Sequence, residues 1–387
     1  MLQVSANIAG NAVKLRVFDR FSDVEAEWKA FQKTAVTTPY QCYEWLEPWH
    51  RHVGSAAGIE PVLAFGEANG EPAFLWPFGL QRAGRLRTCE WMGGKQCNYN
   101  FGLYSRSLLS ELDTTSLRPL LVSIADAVGG IDGFELFNQP LAWNGLNNPF
   151  AGFERQASPS PCYRVDLKPD FDALEVERRS KRSIQTLRRK ARKLATEHGD
   201  LRCIVPADPA EYETVFDAFL EQRAARFAVM GVHNIFTDTG MTAFLREVSA
   251  PRADGEAPLV NMHALLAGDR ICATYSGLTH GGQYSCFSNS IEEEFGRYSP
   301  GEILLRDVIE THCLAGLDAL DLGMGTERYK QSWCDPDPLF DCFIPMTLLG
   351  GLQKTRIQTL LAVKRTIRSS PHLWSVAKAV RKRLNRA

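Results

Sequence analysis

The sequence predicts an α+β fold built as two similar units in tandem. Three observations predict it. Each half of the chain gives the same order of elements: strand, two helices, a run of strands separated by tight turns, then helix and strand. A Pro/Ser-rich break at residues 158–161 separates the halves. The 387 residues suit two or three domains, at roughly 100–200 residues each. Residue identity between the halves is weak, so the repeat is one of pattern. The expected boundaries are 14–165 for the first unit, 166–345 for the second, and 346–387 for a basic amphipathic helical tail.

In the first unit, residues 15–18 read as a short strand. Residues 23–31 read as a helix with Val24, Trp28 and Phe31 on one side, and 44–52 as an aromatic-rich helix. Strands follow at 61–66, 73–81 and 88–92, then a helix at 117–128 and a strand at 133–137. In the second unit a basic helix runs from about 173 to 197 and ends at His198-Gly199. A strand at 201–205 leads into a long helix at 209–229, with Tyr212, Phe216, Phe219 and Leu220 as its apolar stripe, and a further helix at 236–248. Strands at 259–267 and 271–279 flank the turn Gly268-Asp269, and a third occupies 284–288. A helix at 300–315 and a strand at 319–323 complete the pattern.

Composition narrows the function classes. Apolar residues make up 44% and charged residues 23%, which argues against wholesale disorder, collagen and coiled coil. No uncharged apolar run reaches the ~18–20 residues that span a bilayer, and residues 1–13 lack the features of a signal peptide. A cytoplasmic location is therefore expected. The ten cysteines form no Cys-x-x-Cys pair, so reduced core thiols are expected and no metal site. There is no Walker A or GxGxxG pattern, and no Gly-x-Ser-x-Gly or His-Glu-x-x-His, which argues against NTP or dinucleotide binding and against a hydrolase. The net charge of -1 conceals an asymmetry. No acidic residue follows Asp341, while ten Lys and Arg do, which leaves -11 for residues 1–341.

Four segments carry candidate chemistry. In Ser299-Pro300-Gly301-Glu302, Ser at the N-cap, Pro at the first helical position and Glu at the third read as a capping box. The helix start is either an anion site, its free N–H groups facing a pyrophosphate, or simply a well-capped helix. Residues 320–330 end an apolar strand in a Gly-x-Gly turn and a polar cluster. Asp321 there either projects into a cleft as a base or satisfies backbone donors internally. Arg328 and Lys330 can hold phosphate or polarise a carbonyl, or remain surface charges. Residues 178–194 carry nine cations opposite an apolar face of Ile184, Leu187, Ala191 and Leu194. That cationic face is either a binding surface for an anionic ligand or a solvated face. The tail, which Pro371 splits into two helical segments, either lies on an anionic membrane, packs on the acidic body or is disordered.

Taken in order, these residues resemble a known family. The run comprises Ser180-Lys181-Arg182 through Lys193; Phe219-Leu220 with Arg223; and a meander ending in Tyr284. It continues with Ser299-Pro300-Gly301, Leu304-Leu305, Gly316, Asp321-Leu322-Gly323, Gly325, Tyr329-Lys330 and Trp333. Over about 165–335 the chain resembles the CelD-like acetyltransferases of cellulose and exopolysaccharide biosynthesis, a branch of the GNAT superfamily. More distantly it resembles the FemAB-type aminoacyl transferases, which carry two GNAT-like units in tandem. The resemblance implies two tandem GNAT-like units, each a mixed, mostly antiparallel sheet flanked by helices. It implies transfer of an acyl group, acetyl above all, from acyl-CoA as co-substrate to an amine or hydroxyl of a sugar, polysaccharide or cell-envelope precursor. The donor pyrophosphate falls to Ser299, Pro300 and Gly301, with Arg328 added from its charge. The usual Gln/Arg-x-x-Gly-x-Gly/Ala signature is absent, and only the Ser-Pro-Gly form is present. The family supplies no base, so Asp321, Tyr329 and Lys330 are the catalytic candidates by position and chemistry. The alternatives are transfer from aminoacyl-tRNA, which brings tRNA in as a partner, and a non-catalytic module of a polysaccharide-synthesis complex. No DNA partner is expected, and the basic tail is a candidate for peripheral contact at the inner face of the cytoplasmic membrane.

Overall fold

A computed structural model describes residues 2–8, 11–252, 257–325 and 327–370. The chain forms two units, each with its own sheet. The first comprises Met1–Pro161 and the segment returning from Pro338, and the second Cys162–Asp337.

The first unit opens with β1 (Leu2–Ile8) and β2 (Asn11–Phe18), α1 (Glu25–Phe31) and α2 (Tyr43–Trp49). The meander β3 (Glu60–Ala68), β4 (Glu71–Ala83) and β5 (Leu86–Trp91) follows. After β6 (Leu103–Tyr104), α3 (Arg106–Leu109) and α4 (Thr114–Ala127) comes β7 (Gly133–Pro140). A small hairpin, β8 (Ala142–Trp143) and β9 (Leu146–Asn147), and β10 (Arg155–Ala157) close this stretch. The second unit contains β11 (Cys162–Asp166), α5 (Phe171–Arg178), α6 (Lys181–His198), β12 (Leu201–Ile204), α7 (Pro209–Met230) and α8 (Met241–Ser249). Its meander is β13 (Val260–Ala267), β14 (Arg270–His280) and β15 (Gln283–Ile291). It continues with α9 (Pro300–Leu314), β16 (Ala319–Met324), α10 (Arg328–Gln331) and β17 (Asp335–Asp337). The chain then returns to the first unit as β18 (Leu339–Pro345) and α11 (Leu348–Ser369).

The two sheets share one plan. Their orders are β1-β2-β3-β4-β5-β7-β18-β10 and β12-β13-β14-β15-β16-β11-β17. Neighbours pair antiparallel, through tight turns within each meander, except for one parallel pair in each sheet, β5–β7 and β15–β16. A parallel pair needs a crossover, and α4 and α9 supply it. The turn between β13 and β14 needs glycine: Gly268 sits at φ 59, and a Cβ there would lie 2.9 Å from the His198 carbonyl oxygen. Apolar spacing drives α9 onto the sheet, with Leu304, Leu305, Val308, Ile309 and Cys313 buried. They pack with Leu194, Tyr284, Leu320 and Trp333 into the core of the second unit.

The mixed, mostly antiparallel sheets flanked by helices agree with the α+β expectation. The strands that complete each sheet lie elsewhere than the sequence boundaries put them. Residues 339–345, read as part of the second unit, form β18 and pair with β7 in the first. Residues 162–165, read as the end of the first unit, lie in β11 and pair with β16 and β17. The first unit thus completes its sheet with a strand from beyond its continuous segment, whereas the second inserts its own first strand, β11, between β16 and β17. The basic helix expected over 173–197 is two helices. Arg179 leaves helical geometry (φ -126, ψ 142), and the Ser180 hydroxyl accepts from the Ser183 N–H to start α6. The first turns of α11 pack on the first unit, where Gln353 donates to Glu135 at 3.1 Å and Lys354 to Glu154 at 2.6 Å. Leu348, Leu352, Leu360 and Val363 are exposed. The expected break at Pro371 and the segment after it lie outside the described residues.

Candidate active site

The site of interest lies where β15 and β16 part. Their parallel ladder joins Gln283 to Ala319, Tyr284 to Leu320 and Ser285 to Asp321, and stops there. Both strands run on, β15 to Ile291 and β16 to Met324. A bulge at Phe287, where the β14–β15 register slips between Ser276 and Gly277, turns β15 away from its neighbour. Beyond that point no ladder pair joins β15 to β16. The residues of this junction follow in order along β15.

At the inner end, Asp321 is buried. Its Oδ1 accepts the Gly323 N–H at 2.9 Å and its Oδ2 accepts the Ser285 hydroxyl. Of the two positions open to Asp321, the structure shows the internal one. The carboxylate ties the two strands together at the point where they separate. Further out, the Asn289 side-chain amide donates to the Tyr329 hydroxyl at 3.0 Å. Tyr275 stands opposite Asn289 in the register. Burial pushes the Tyr329 phenol up to about 12, so it carries its proton across the physiological range. Lys330, beside it on α10, is buried. Its ammonium donates to the carbonyls of Met324 at 2.5 Å and Gly323 at 3.4 Å and pairs with Glu327 at 3.2 Å. Three partners account for its three N–H bonds, so Lys330 clamps α10 to the end of β16. Arg328, at the start of α10, is exposed.

At the outer end, β15 passes into α9. The capping box is not formed. Ser299 adopts a left-handed conformation (φ 56), and its hydroxyl accepts from Lys190 of α6 at 2.7 Å instead of capping the helix. Glu302 does not reach back either. It pairs with Arg179 at 3.1 Å, so its charge is neutralised beside the helix start. Pro300 has no N–H to satisfy, and the Glu302 and Ile303 N–H groups both turn to the Ser299 carbonyl. The Gly301 N–H is left without a backbone acceptor among the described residues, at the positive end of a 15-residue helix. A Cβ on Gly301 would lie 3.1 Å from Ile291 Cγ2, so the end of β15 and the start of α9 are in close approach.

Beside this helix start lies a cavity of about 330 Å³, lined by Arg179, Ser180, Arg182, Ser183, Lys190 and Glu302 among others. Arg179 is buried, stacks over Trp333 at 5.0 Å, and leaves its Nε and Nη1 without acceptors. Cations, two helix starts and orphaned donors on one surface suit a phosphorylated ligand. Among the described residues, no group of three or more His, Cys, Asp or Glu is placed to hold a metal ion.

The structure therefore brings Gly301 and Tyr329 to the outer half of β15, through Ile291 and Asn289, and sets Asp321 at its inner end. Three groups escaped sequence reasoning. Lys190 is one of nine cations in its stretch, yet it stands three residues after buried Leu187 and four before buried Leu194, a spacing that turns it toward α9. Asn289 carried no local signal, and Arg223 entered only as one residue of the resemblance, with no role attached. Arg223 of α7 donates to the Asn289 carbonyl at 3.2 Å.

Comparison with known proteins bears on the fold and on part of the chain. Residues 179–331 match the family model of the acetyltransferase (GNAT) domain. No curated protein matches the sequence. Among solved structures, the chain is similar to FemX, at 10% identity and a TM-score of 0.55, covering 82% of this chain and 95% of that one. It is similar to a conserved protein from Bacteroides thetaiotaomicron, at 12% identity and a TM-score of 0.52, covering 85% and 99%. It is also similar to the C-terminal domain of an Agrobacterium fabrum protein described as a lysylphosphatidylglycerol synthetase, at 12% identity and a TM-score of 0.51, covering 88% and 96%. At such identities the likeness is one of fold. The chain is built of two units on one sheet plan, and the second contains the residues matched by the acetyltransferase (GNAT) domain.

Proposed function

We propose that the second unit is an acyltransferase that moves an acyl group, acetyl above all, from acyl-CoA to an amine or hydroxyl of a sugar, polysaccharide or cell-envelope precursor. The observation that carries this reading is the parting of β15 and β16 beside an uncapped, cation-flanked helix start. The CoA ester supplies an activated acyl thioester. The Gly301 N–H, Lys190 and Arg182 would hold its phosphates, and the orphaned donors and cavity beside them fit that role. The parted strands would present main-chain N–H groups to the thioester carbonyl as charge builds on its oxygen. Tyr329, neutral until about pH 12, is placed to give a proton to the departing thiolate, and the proton the acceptor loses, carried through solvent, restores the phenol. Asp321 and Lys330 would act through position, the first by joining the strands and the second by seating α10.

Acetyl-CoA turnover by the purified full chain, read as thiol release with amino sugars as acceptors, tests the reading. Thiol release that depends on acceptor supports it, and no binding of acetyl-CoA or CoA overturns it. A second reading, transfer from aminoacyl-tRNA, has one observation in its favour: the outer face of α6 exposes Lys181, Arg182, Arg188, Arg189, Arg192 and Lys193. Transfer only from charged tRNA, with binding that falls steeply with salt, would select it.

For location, no described helix is long and apolar enough to cross a membrane. We place the enzyme on the cytoplasmic side, held at the inner membrane face by α11. Its exposed leucines lie in a stretch, 342–387, with ten cations and no acid. The full chain then floats with anionic liposomes, and the double variant Leu352→Glu, Leu360→Glu does not. Equal flotation of both overturns the placement.

A further inference from the structure

Arg223 is a cation in the wrong surroundings for a structural role. Its guanidinium lies 4.5 Å from the Phe227 ring centre and 5.5 Å from that of Phe236. Its Nη1 donates to the Asn289 carbonyl, while its Nε is buried with no acceptor. No carboxylate pairs with it among the described residues, and the nearby charge is another cation, Arg226. Burial and that neighbour both press its pKa downward. Arg223 is half-buried, and a partly desolvated charge without a counter-ion is costly.

Its place in the fold says which ligand. Ser290 bonds to Gln222 of α7 and to Thr274, so these side chains face α7. Tyr284 stacks on His312 of α9 at 4.0 Å, and His263 lies 5.7 Å from the same ring. His263 is opposite Tyr275, one residue from Thr274 on β14, so by alternation α7 and α9 cover opposite faces of the sheet. The cation-flanked start of α9 serves one face. Arg223 comes from the other and meets β15 at Asn289, the residue that also holds Tyr329. A donor whose phosphates lie at α9 does not need Arg223, whereas an acceptor entering from the α7 side meets it at the reaction centre.

We propose that Arg223 binds an anionic group, carboxylate or phosphate, carried by the acceptor. Phe227 and Phe236 fix the guanidinium plane, and its remaining N–H groups take the anion in a fork. The acceptor class is therefore an amine or hydroxyl compound with an acidic group, which excludes neutral sugars as preferred substrates. This rests on the acyltransferase reading, and the experiment separates the two.

The direct readout is the Arg223 side-chain Nε–H resonance of the ¹⁵N-labelled full chain, identified by its loss in Arg223→Gln and titrated with inorganic phosphate and with acetate. Movement at millimolar anion, absent in Arg223→Gln, is expected. No movement with either anion overturns the proposal, whatever the catalysis. The kinetic arm compares glucosamine, glucosamine 6-phosphate and muramic acid with acetyl-CoA as donor. The expected result is at least tenfold higher kcat/KM for one charged acceptor over glucosamine. Phosphate and carboxylate are distinguished by which of the two gains. Arg223→Gln is expected to remove that gap through KM of the acceptor and to change KM for acetyl-CoA less than twofold. Arg223→Lys restores part of it. An equal loss for neutral and charged acceptors overturns the proposal. Anion binding without turnover of any acceptor sinks the acyltransferase reading and leaves the anion site standing.

Discussion

The two units repeat one architecture and differ at its decisive point. In the second, β15 and β16 separate after Ser285 and Asp321, and the gap is lined by Asn289 and Tyr329, with Arg223 at its edge. In the first, β5 and β7 pair at Thr88–Gly133 and Cys89–Phe134 and then separate in the same way. There the chain fills its own gap. Asn100 bonds the β7 edge, its N–H to the Asn138 carbonyl at 2.9 Å and its amide to the Phe137 carbonyl at 3.1 Å. The Gln41 side-chain amide donates to the Asn100 side-chain oxygen at 3.3 Å, and Trp91 donates to Gln139. The crossover helices differ in the same sense. The start of α4 is occupied by its own carboxylate, since Asp113 accepts from both the N–H and the hydroxyl of Ser116, which hold its pKa below the usual carboxylate value. The start of α9 has no side-chain cap, and its serine is turned toward Lys190. A duplicated fold can thus keep its layers while one copy buries the opening that the other leaves available.

The largest expected effect tests the helix starts. Gly301→Trp crowds Ile291 and blocks the α9 N-terminus, and acetyl-CoA affinity by calorimetry falls at least 100-fold, about 2.7 kcal/mol. Thr115→Trp, at the exposed first turn of α4, leaves affinity within twofold. Equal losses would show both units taking the donor and erase the contrast. Next comes the proton on Tyr329. Tyr329→Phe lowers kcat about 100-fold with KM for acetyl-CoA unchanged, because the hydroxyl is used as the thiolate leaves. A drop confined to KM would make Tyr329 a binding group.

A smaller effect follows from buried acids and bases. Burial lowers His263 to about 3 and His312 to about 4 in the second unit. The unfolded chain then binds protons that the folded unit refuses, so stability is full above about pH 6.5 and falls as the pH drops toward 4. By pH 5 the loss is about 2 kcal/mol for each of the two histidines. In the first unit, burial and the neighbouring Glu135 raise Glu90 to about 7. The folded unit there holds a proton that the unfolded chain releases, so its stability rises as the pH falls from about 7 to 4.5. Hydrogen exchange of the intact chain at pH 7.5 and 5.5, corrected for intrinsic rates, should show slower opening for β5 and β7 at the lower pH. It should show faster opening for β13 and β15. Parallel changes in both sheets would contradict the opposing assignments.

The layers common to both units were legible in the sequence, and the contrast between the units was not, for physical reasons. The strand and helix order, the start of α9 at Pro300 and the end of α6 at Gly199 follow from short-range patterns, and the structure has them. Pairings across long separations have no such trace. The Ser285–Asp321 and Asn289–Tyr329 bonds join residues 36 and 40 positions apart, and their existence decides whether Asp321 is a base or a tie. The return of β18 to β7 is longer still, and nothing in residues 339–345 distinguishes it from a strand of the nearer sheet. The capping box looked complete at Ser299 and Glu302 because the pattern cannot see Lys190 and Arg179, which take those two side chains away.

The claim that only the second unit holds the donor is tested most directly by hydrogen–deuterium exchange of the full chain with and without acetyl-CoA. Protection is expected across the β15–α9 junction, the end of β16 and the first turns of α6, with no change in β5, β7 and the start of α4. Protection at β5, β7 and α4, or no protection anywhere in the second unit, would contradict it.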